Sequence, residues 1–454
     1  MRYSLCYTCA FTVKTTSTQG VPVLKLRRAG IIAILTMLSG CGGSSRPSGF
    51  SNRAFVSNSF AGTAAPSGLV QIVNVNDDRL SATASISAGS EPGLMAVSPL
   101  REITLVFDQG TNQVSIITNS DEKVNASAIQ LPAVPGVGGL TDMTGTLLAQ
   151  SASTGYATFR NVQQAINLPL GEVAVLDLTN VLIANTISVP NAHRMVMNNE
   201  GSRLLVFSDH YTSPCGTTSS ALTVIDISGG TATNSSNVLA TVCGFDEAVW
   251  GVFSSDDSTA YIMNCGPECS SNFNGVASVS VLNMTTLAQP PSPVLLNNPN
   301  AGATVGLLNG NTNTLYVAGS PNGAAGPGAG TLAILDVSQS PPAVVSGPVS
   351  ISDGYHNLMA LGSNNKLFIG SATNCTNSGT NGGCLTIFDT SANTAVIDQP
   401  NGFVTGMAPI ANRNVVYVVE GGGLKIYDTT TSAQSTTANI DIVGTAVDVR
   451  TVDQ

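Results

Sequence analysis

Leu222-Thr223-Val224-Ile225-Asp226 has a simple grammar: a leucine or β-branched residue, any residue, two apolar residues, then Asp or Asn. The same phrase returns as Val70–Asn74, Val173–Asp177, Val279–Asn283, Leu332–Asp336, Leu385–Asp389 and Leu424–Asp428, and imperfectly as Val114–Thr118, where threonine holds the acidic position. These eight copies are spaced 39 to 59 residues apart. Each follows a short apolar run, such as "RAFVSN" (53–58) or "RLLVFSD" (203–209), and precedes a β-branched run such as "ANTISVP" (184–190). A further segment like Glu91–Pro99 then completes the unit. Enriched in β-branched and aromatic residues and bounded by turn formers, these read as four short strands per repeat. The closing Asx suits a strand end, because its side chain accepts from backbone two residues on and starts a turn. Four strands in about fifty residues, repeated, predict an all-β propeller, since no blade alone buries both faces of its sheet. Eight blades are counted, with seven as the alternative. The chain enters on the second strand of a blade and ends with "GTAVDV" (444–449), an innermost strand, so the ring is expected to close where the C-terminal strand completes the N-terminal blade.

The first repeat, "AFVSN" (54–58), "VQIVNV" (70–75) and "TASISAGSEPGLMAVSP" (83–99), resembles the YVTN-repeat β-propellers, and a looser match runs across about 53–450. Relatives of that propeller class include lactone hydrolases that use His, Arg and carboxylates at the channel mouth. That resemblance implies a lactonase-like alternative with His193, Arg194, Glu247 and His356 as weak catalytic candidates, on fold analogy alone.

Upstream of the repeats, Lys25, Arg27 and Arg28 precede an apolar run, Ala29 to Leu38, and then small residues, the order of a secretory signal peptide. The run is about ten residues, half of what a bilayer-spanning helix requires. Leu38-Ser39-Gly40-Cys41 resembles the lipobox of bacterial lipoproteins. It implies lipidation of Cys41, and, with Gly42 rather than aspartate following, the outer membrane. The expected organisation is therefore 1–24 as a start-codon artefact, with translation beginning near Val21 or Leu24, and 25–40 as the signal. The lipidated cysteine and a Gly/Ser-rich tether span 41–52, and the propeller spans 53–454.

Of the 17 basic residues, five lie before Cys41 and no acidic residue does, leaving 12 basic against 27 acidic. A body that acidic repels phosphate backbones, so nucleic-acid binding is disfavoured. Beyond Cys6, Cys9 and Cys41 there remain Cys215, Cys243, Cys265, Cys269, Cys375 and Cys384. An even count in an exported protein reads as disulfides. Six cysteines allow fifteen pairings, and proximity favours Cys265–Cys269, Cys375–Cys384 and, by elimination, Cys215–Cys243. A four-cysteine zinc site is the rival, without zinc-finger spacing to support it.

No G-x-S-x-G elbow, H-E-x-x-H or Walker loop occurs. In a four-stranded blade the turns after the second and fourth strands share one end. That topology gathers His193, Arg194, Asp246, Glu247, Tyr355 and His356 with Asp108, Asp209, His210 and Glu420, and the six cysteines, around one mouth. These residues are candidates for binding a polar ligand; no cofactor or metal is predicted, although a divalent cation would suit mixed His and carboxylate ligands. Trp250, the only tryptophan, is expected to pack between blades. The leading expectation is a monomeric, non-catalytic lipoprotein, held to the membrane by its lipid, that binds a protein, glycan or cell-wall component.

Overall fold

The computed structural model describes residues 46–453 except 60–67, 133–142, 161–170, 209–214, 216–218, 231–236, 270–275, 289, 291, 297–300, 322–328, 374, 376–383, 399–401 and 437–439. The leader, Cys41, Asp209 and His210 lie outside the described residues.

All eight repeat phrases are third strands of antiparallel four-stranded blades. Blade 2, for example, runs outward from Pro92–Val97 through Ile103–Asp108 and Gln113–Thr118 to Lys123–Val124, with Ile129–Gln130 also paired to the third strand. The innermost strands of blades 3 to 8 are Met143–Ala149, Ala192–Met197, Ala248–Phe253, Val305–Asn309, Tyr355–Leu361 and Val404–Pro409. Blade 1 is the composite one. Its innermost strand is Thr445–Thr451, paired with Arg53–Ser59, followed by Leu69–Asn74 and Arg79–Ser87. Each innermost strand touches the next, and that of blade 8 touches that of blade 1, so the ring is closed with eight blades.

The Asx at the end of each phrase does what its chemistry suggests. Asp226 accepts from the Ser228 N–H at 2.9 Å, Asn283 from Thr285 at 2.9 Å, Asp336 from Ser338 at 2.9 Å and Asp389 from Ser391 at 2.9 Å. Hydrogen bonds to the charged form hold the three aspartates below the usual carboxylate range: Asp226 chiefly through the Ser228 N–H, Asp336 through the Ser338 hydroxyl and then its N–H, and Asp389 through Lys366 and then the turn N–H groups, which bring it to about 2.

The apolar interior divides into eight clusters, one per joint between blades. The joint of blades 2 and 3 holds Leu105, Phe107, Leu147 and Phe159, and that of blades 1 and 2 holds Phe55, Ile72, Met95 and Val106. Sheet faces that would otherwise meet water are thereby removed from it, the main stabilising term of the ring. Fourth strands face solvent, as the largely exposed Arg79–Ser87 illustrates.

The joint closing blade 8 onto blade 1 carries ion pairs besides its apolar cluster. Arg413 donates from Nη2 to Asp78 Oδ2 at 2.8 Å, and Tyr417 donates its hydroxyl to the same carboxylate. A second polar knot joins Arg53, Glu122 and Asp453, drawing blade 1, a turn of blade 2 and the C-terminal residues together.

Close approach sets one glycine. A Cβ at Gly330, first residue of the third strand of blade 6, would fall 1.8 Å from the Ser352 carbonyl oxygen and 2.8 Å from His356 Cε1. Gly330→Ala is therefore expected to cost about 1–3 kcal/mol by overpacking, read as a lowered urea midpoint; an unchanged midpoint would refute the tight contact.

Candidate functional site

The innermost strands enter at the mouth with a shared irregularity. In blades 4, 5, 7 and 8 the pairing skips one residue near the start of the strand: His193, Val249, Asn357 and Thr405. Such bulges re-aim side chains at the rims of closed sheets. Aligned on them, Ala192, Ala248, His356 and Val404 are equivalent and fully enclosed, at 0–2% exposure. The next-but-one position holds Arg194, Trp250, Leu358 and Gly406.

These residues open onto a cavity of about 690 Å³ in the middle of the ring, lined by His193, Arg194, Trp250, Asn357 and Thr405 with Leu94, Val97, Met195, Met197, Leu358 and Met407. A side cavity of about 260 Å³ at the mouth is lined by His193, Phe207, Ala248, Val249, Glu268, Cys269 and Tyr355. His193 thus faces both. Arg194, 8% exposed, lies between two rings, its Cζ 5.4 Å from the centroid of Trp250 and 5.4 Å from that of Tyr355. Trp250 packs against the joint of blades 5 and 6 as expected, its Nε1 donating to the Gly306 carbonyl at 3.0 Å. Its ring also walls the central cavity, a contribution the sequence did not announce.

The remaining candidates serve the frame. Asp108 accepts from the N–H groups of Ser90 at 3.0 Å and Glu91 at 2.6 Å, pinning the strand that follows. Glu420 accepts from the Tyr427 hydroxyl at 2.7 Å. Glu247 is buried with a left-handed φ of 59°, and Asp246 beside it is pushed up by burial and then by Glu247. His356 is fully buried, its Nε2 3.4 Å from Ser352 Oγ, and burial drives it down to about 4. Neither Glu247 nor His356 lines either cavity.

Three disulfides, Cys215–Cys243, Cys265–Cys269 and Cys375–Cys384, staple the loops of this end. Within the second staple stands Glu268, which no sequence motif marks. Its Oε1 accepts from the Ser320 N–H at 2.9 Å, linking blade 5 to blade 6, while Oε2 is buried without a hydrogen-bond partner. Burial pushes its carboxyl up to about 8, against the pull of the Ser320 and Ala303 backbone. Among the described residues no three His, Cys, Asp or Glu side chains come together as a metal site.

No model of a protein family matches the chain, and no curated protein matches it. The likeness is to solved structures alone. Dihydro-heme d1 dehydrogenase NirN, in complex with DHE, is similar over 88% of this chain and 75% of its own, at 12% identity and a TM-score of 0.55. Apo AztD from Citrobacter koseri is similar over 88% of this chain and 97% of its own, at 12% identity and a TM-score of 0.51. Hydrazine synthase of Kuenenia stuttgartiensis is similar over 74% of this chain and 95% of its own, at 13% identity and a TM-score of 0.51. At these identities the likeness is one of fold, and the propeller is what they share with this chain.

Proposed function

We propose that this chain is a non-catalytic binding module of the bacterial envelope. Cys41 carries the lipid, residues 41–52 form the tether, and the monomeric ring is displayed from the outer membrane. Its ligand is a protein, glycan or cell-wall component presenting a group that enters the channel from the stapled end. One observation supports binding over hydrolysis: Arg194 and His193 reach the central cavity, whereas no carboxylate lines it, Asp108 and Glu420 bonding to the frame and Glu268 lining only the side cavity. The 27 acidic residues disfavour nucleic acid as partner.

The rival reading is a lactonase-like hydrolase. It gains from His193 and Arg194 lining one cavity, a base and an oxyanion donor side by side. It loses from Glu247 and His356, which would have to act from outside that cavity.

Thermal unfolding of the full-length chain with lactones, sugars, cell-wall fragments and divalent cations tests the proposal. A ligand at a hundred times its Kd adds about 2.7 kcal/mol and raises the midpoint. Lactone turnover that disappears in His193→Ala and His356→Ala while each variant still folds would overturn the non-catalytic reading. Binding without turnover is the expected result.

A further inference from the structure

We infer that the central channel binds a small amphipathic anion, a carboxylate on an apolar body, with Arg194 taking the carboxylate. The inference rests on the channel being the binding site. Arg194 Nη1 is buried and has no hydrogen-bond partner among the described residues. A guanidinium does not shed its charge, and burying one unpaired is costly. The two neighbouring arginines on the wall are engaged: Arg450 Nε donates to Asp448 Oδ2 at 3.0 Å, and Arg101 donates to the Thr451 carbonyl. Arg194 instead lies between the rings of Trp250 and Tyr355. Aromatic faces attract the cation but offer no lone pair in the guanidinium plane, where its N–H groups point. What remains to be satisfied is a charge-assisted hydrogen bond from Nη1 in the guanidinium plane, which a carboxylate oxygen can accept.

The rest of the cavity defines the body of the ligand. Its volume of about 690 Å³ falls in the range of small-molecule pockets. The wall around Leu94, Val97, Met195, Met197, Leu358 and Met407 is apolar, and its thioethers adapt to irregular shapes. Of the three arginines that line the cavity, Arg194 is the one with a buried nitrogen left without a hydrogen bond among the described residues, which places the carboxylate on it. Asn357 adds a buried Oδ1 without a hydrogen-bond partner among the described residues, placed to accept from a hydroxyl or amide on the ligand.

Trp250 walls the site and is the only tryptophan of the chain, so its emission reports occupancy without a label. The test titrates the full-length chain with octanoate, octan-1-ol and octylamine, which share one body and differ in charge. A saturable change with octanoate at concentrations at least about tenfold below those needed for the alcohol or the amine is expected. In Arg194→Gln the octanoate affinity should fall by at least about tenfold while the response to octan-1-ol stays. Equal responses to all three probes, no response to octanoate, or unchanged affinity in a folded Arg194→Gln would overturn the inference. The three-probe comparison needs only the wild-type chain, so it stands even where the variant fails to fold. Octanoate silence beside a thermal shift with another ligand would sink this inference alone. Octanoate binding together with lactone turnover would keep it and sink the non-catalytic reading.

Discussion

Arg53→Met is expected to cost about 3–5 kcal/mol of folding stability, read as a fall in the urea midpoint at unchanged slope. Arg53 is buried, with its side chain fully enclosed. It donates from Nη1 to Glu122 Oε1 at 2.8 Å, from Nε to Asp453 Oδ2 at 2.7 Å and from Nη2 to Asp453 Oδ1 at 2.9 Å. Glu122, its side chain only 1% exposed, also receives the Ser48 N–H at 2.7 Å. Methionine fills most of the volume but leaves the Glu122 carboxylate enclosed without its counter-charge. That orphaned charge, more than the lost pair, makes the cost large. The double variant Arg53→Met/Glu122→Gln should recover much of the loss, since it replaces a charge by a neutral amide. A single-variant cost below about 1 kcal/mol would show that the knot is dispensable.

The second large effect is a pH dependence with two opposed limbs. Folded Glu268 keeps its proton up to about 8, against 4.5 for the ordinary group. Between those values the native state holds the extra proton, so stability falls as pH rises through the window. His356 runs the other way: it accepts a proton only near 4 in the fold, against an ordinary 6.5. There the unfolded chain holds the extra proton, and stability falls as pH drops from 6.5 toward 4. Between 4.5 and 6.5 the two slopes oppose each other, so the contribution of this pair changes least there and is lost on either side. Glu268→Gln should match the wild type at pH 4 and exceed it by on the order of 3 kcal/mol at pH 9. The amide oxygen still accepts the Ser320 N–H. Asp448, also pushed up by burial despite Arg450, leaves a residual alkaline slope in the variant. Parallel curves for variant and wild type from pH 5 to 9 would refute the buried, protonated carboxyl.

The ring was legible because its signal is redundant. Eight phrases ending in Asx or threonine each fell on a third strand, and the "GTAVDV" strand completed blade 1 as its pattern required. Cysteines close in sequence paired as proximity suggested. What could not be read was which way a side chain points at the mouth. A skipped residue reverses the alternation of a strand, and no residue type marks where a strand skips. His356 was gathered to the mouth with His193 because both stand at the start of an innermost strand. The bulge puts His193 on the cavities and His356 in the enclosed position that alanine or valine fills in neighbouring blades. Arg194 and Trp250 occupy equivalent positions of adjacent blades, which a blade-to-blade alignment of the sequence shows only once the bulge is known. Glu268 was missed because Gly-Pro-Glu within a cysteine staple has no chemistry of its own until Gly319 and Ser320 close over it.

Blade 1 joins strands from opposite ends of the ring sequence, and Arg53 and Asp453 stand 400 residues apart. Seven blades are made of contiguous segments and can take shape as they are synthesised. Blade 1 has to wait for Thr445–Thr451. A chain delivered N-terminus first therefore keeps the edge of Arg53–Ser59 unpaired through nearly all of its synthesis. That last step joins residues 400 apart in sequence, and such non-local contacts form slowly. Until it forms, the molecule is an open arc whose two end blades each present an unburied sheet face, so the closing strand completes the burial of two joints at once.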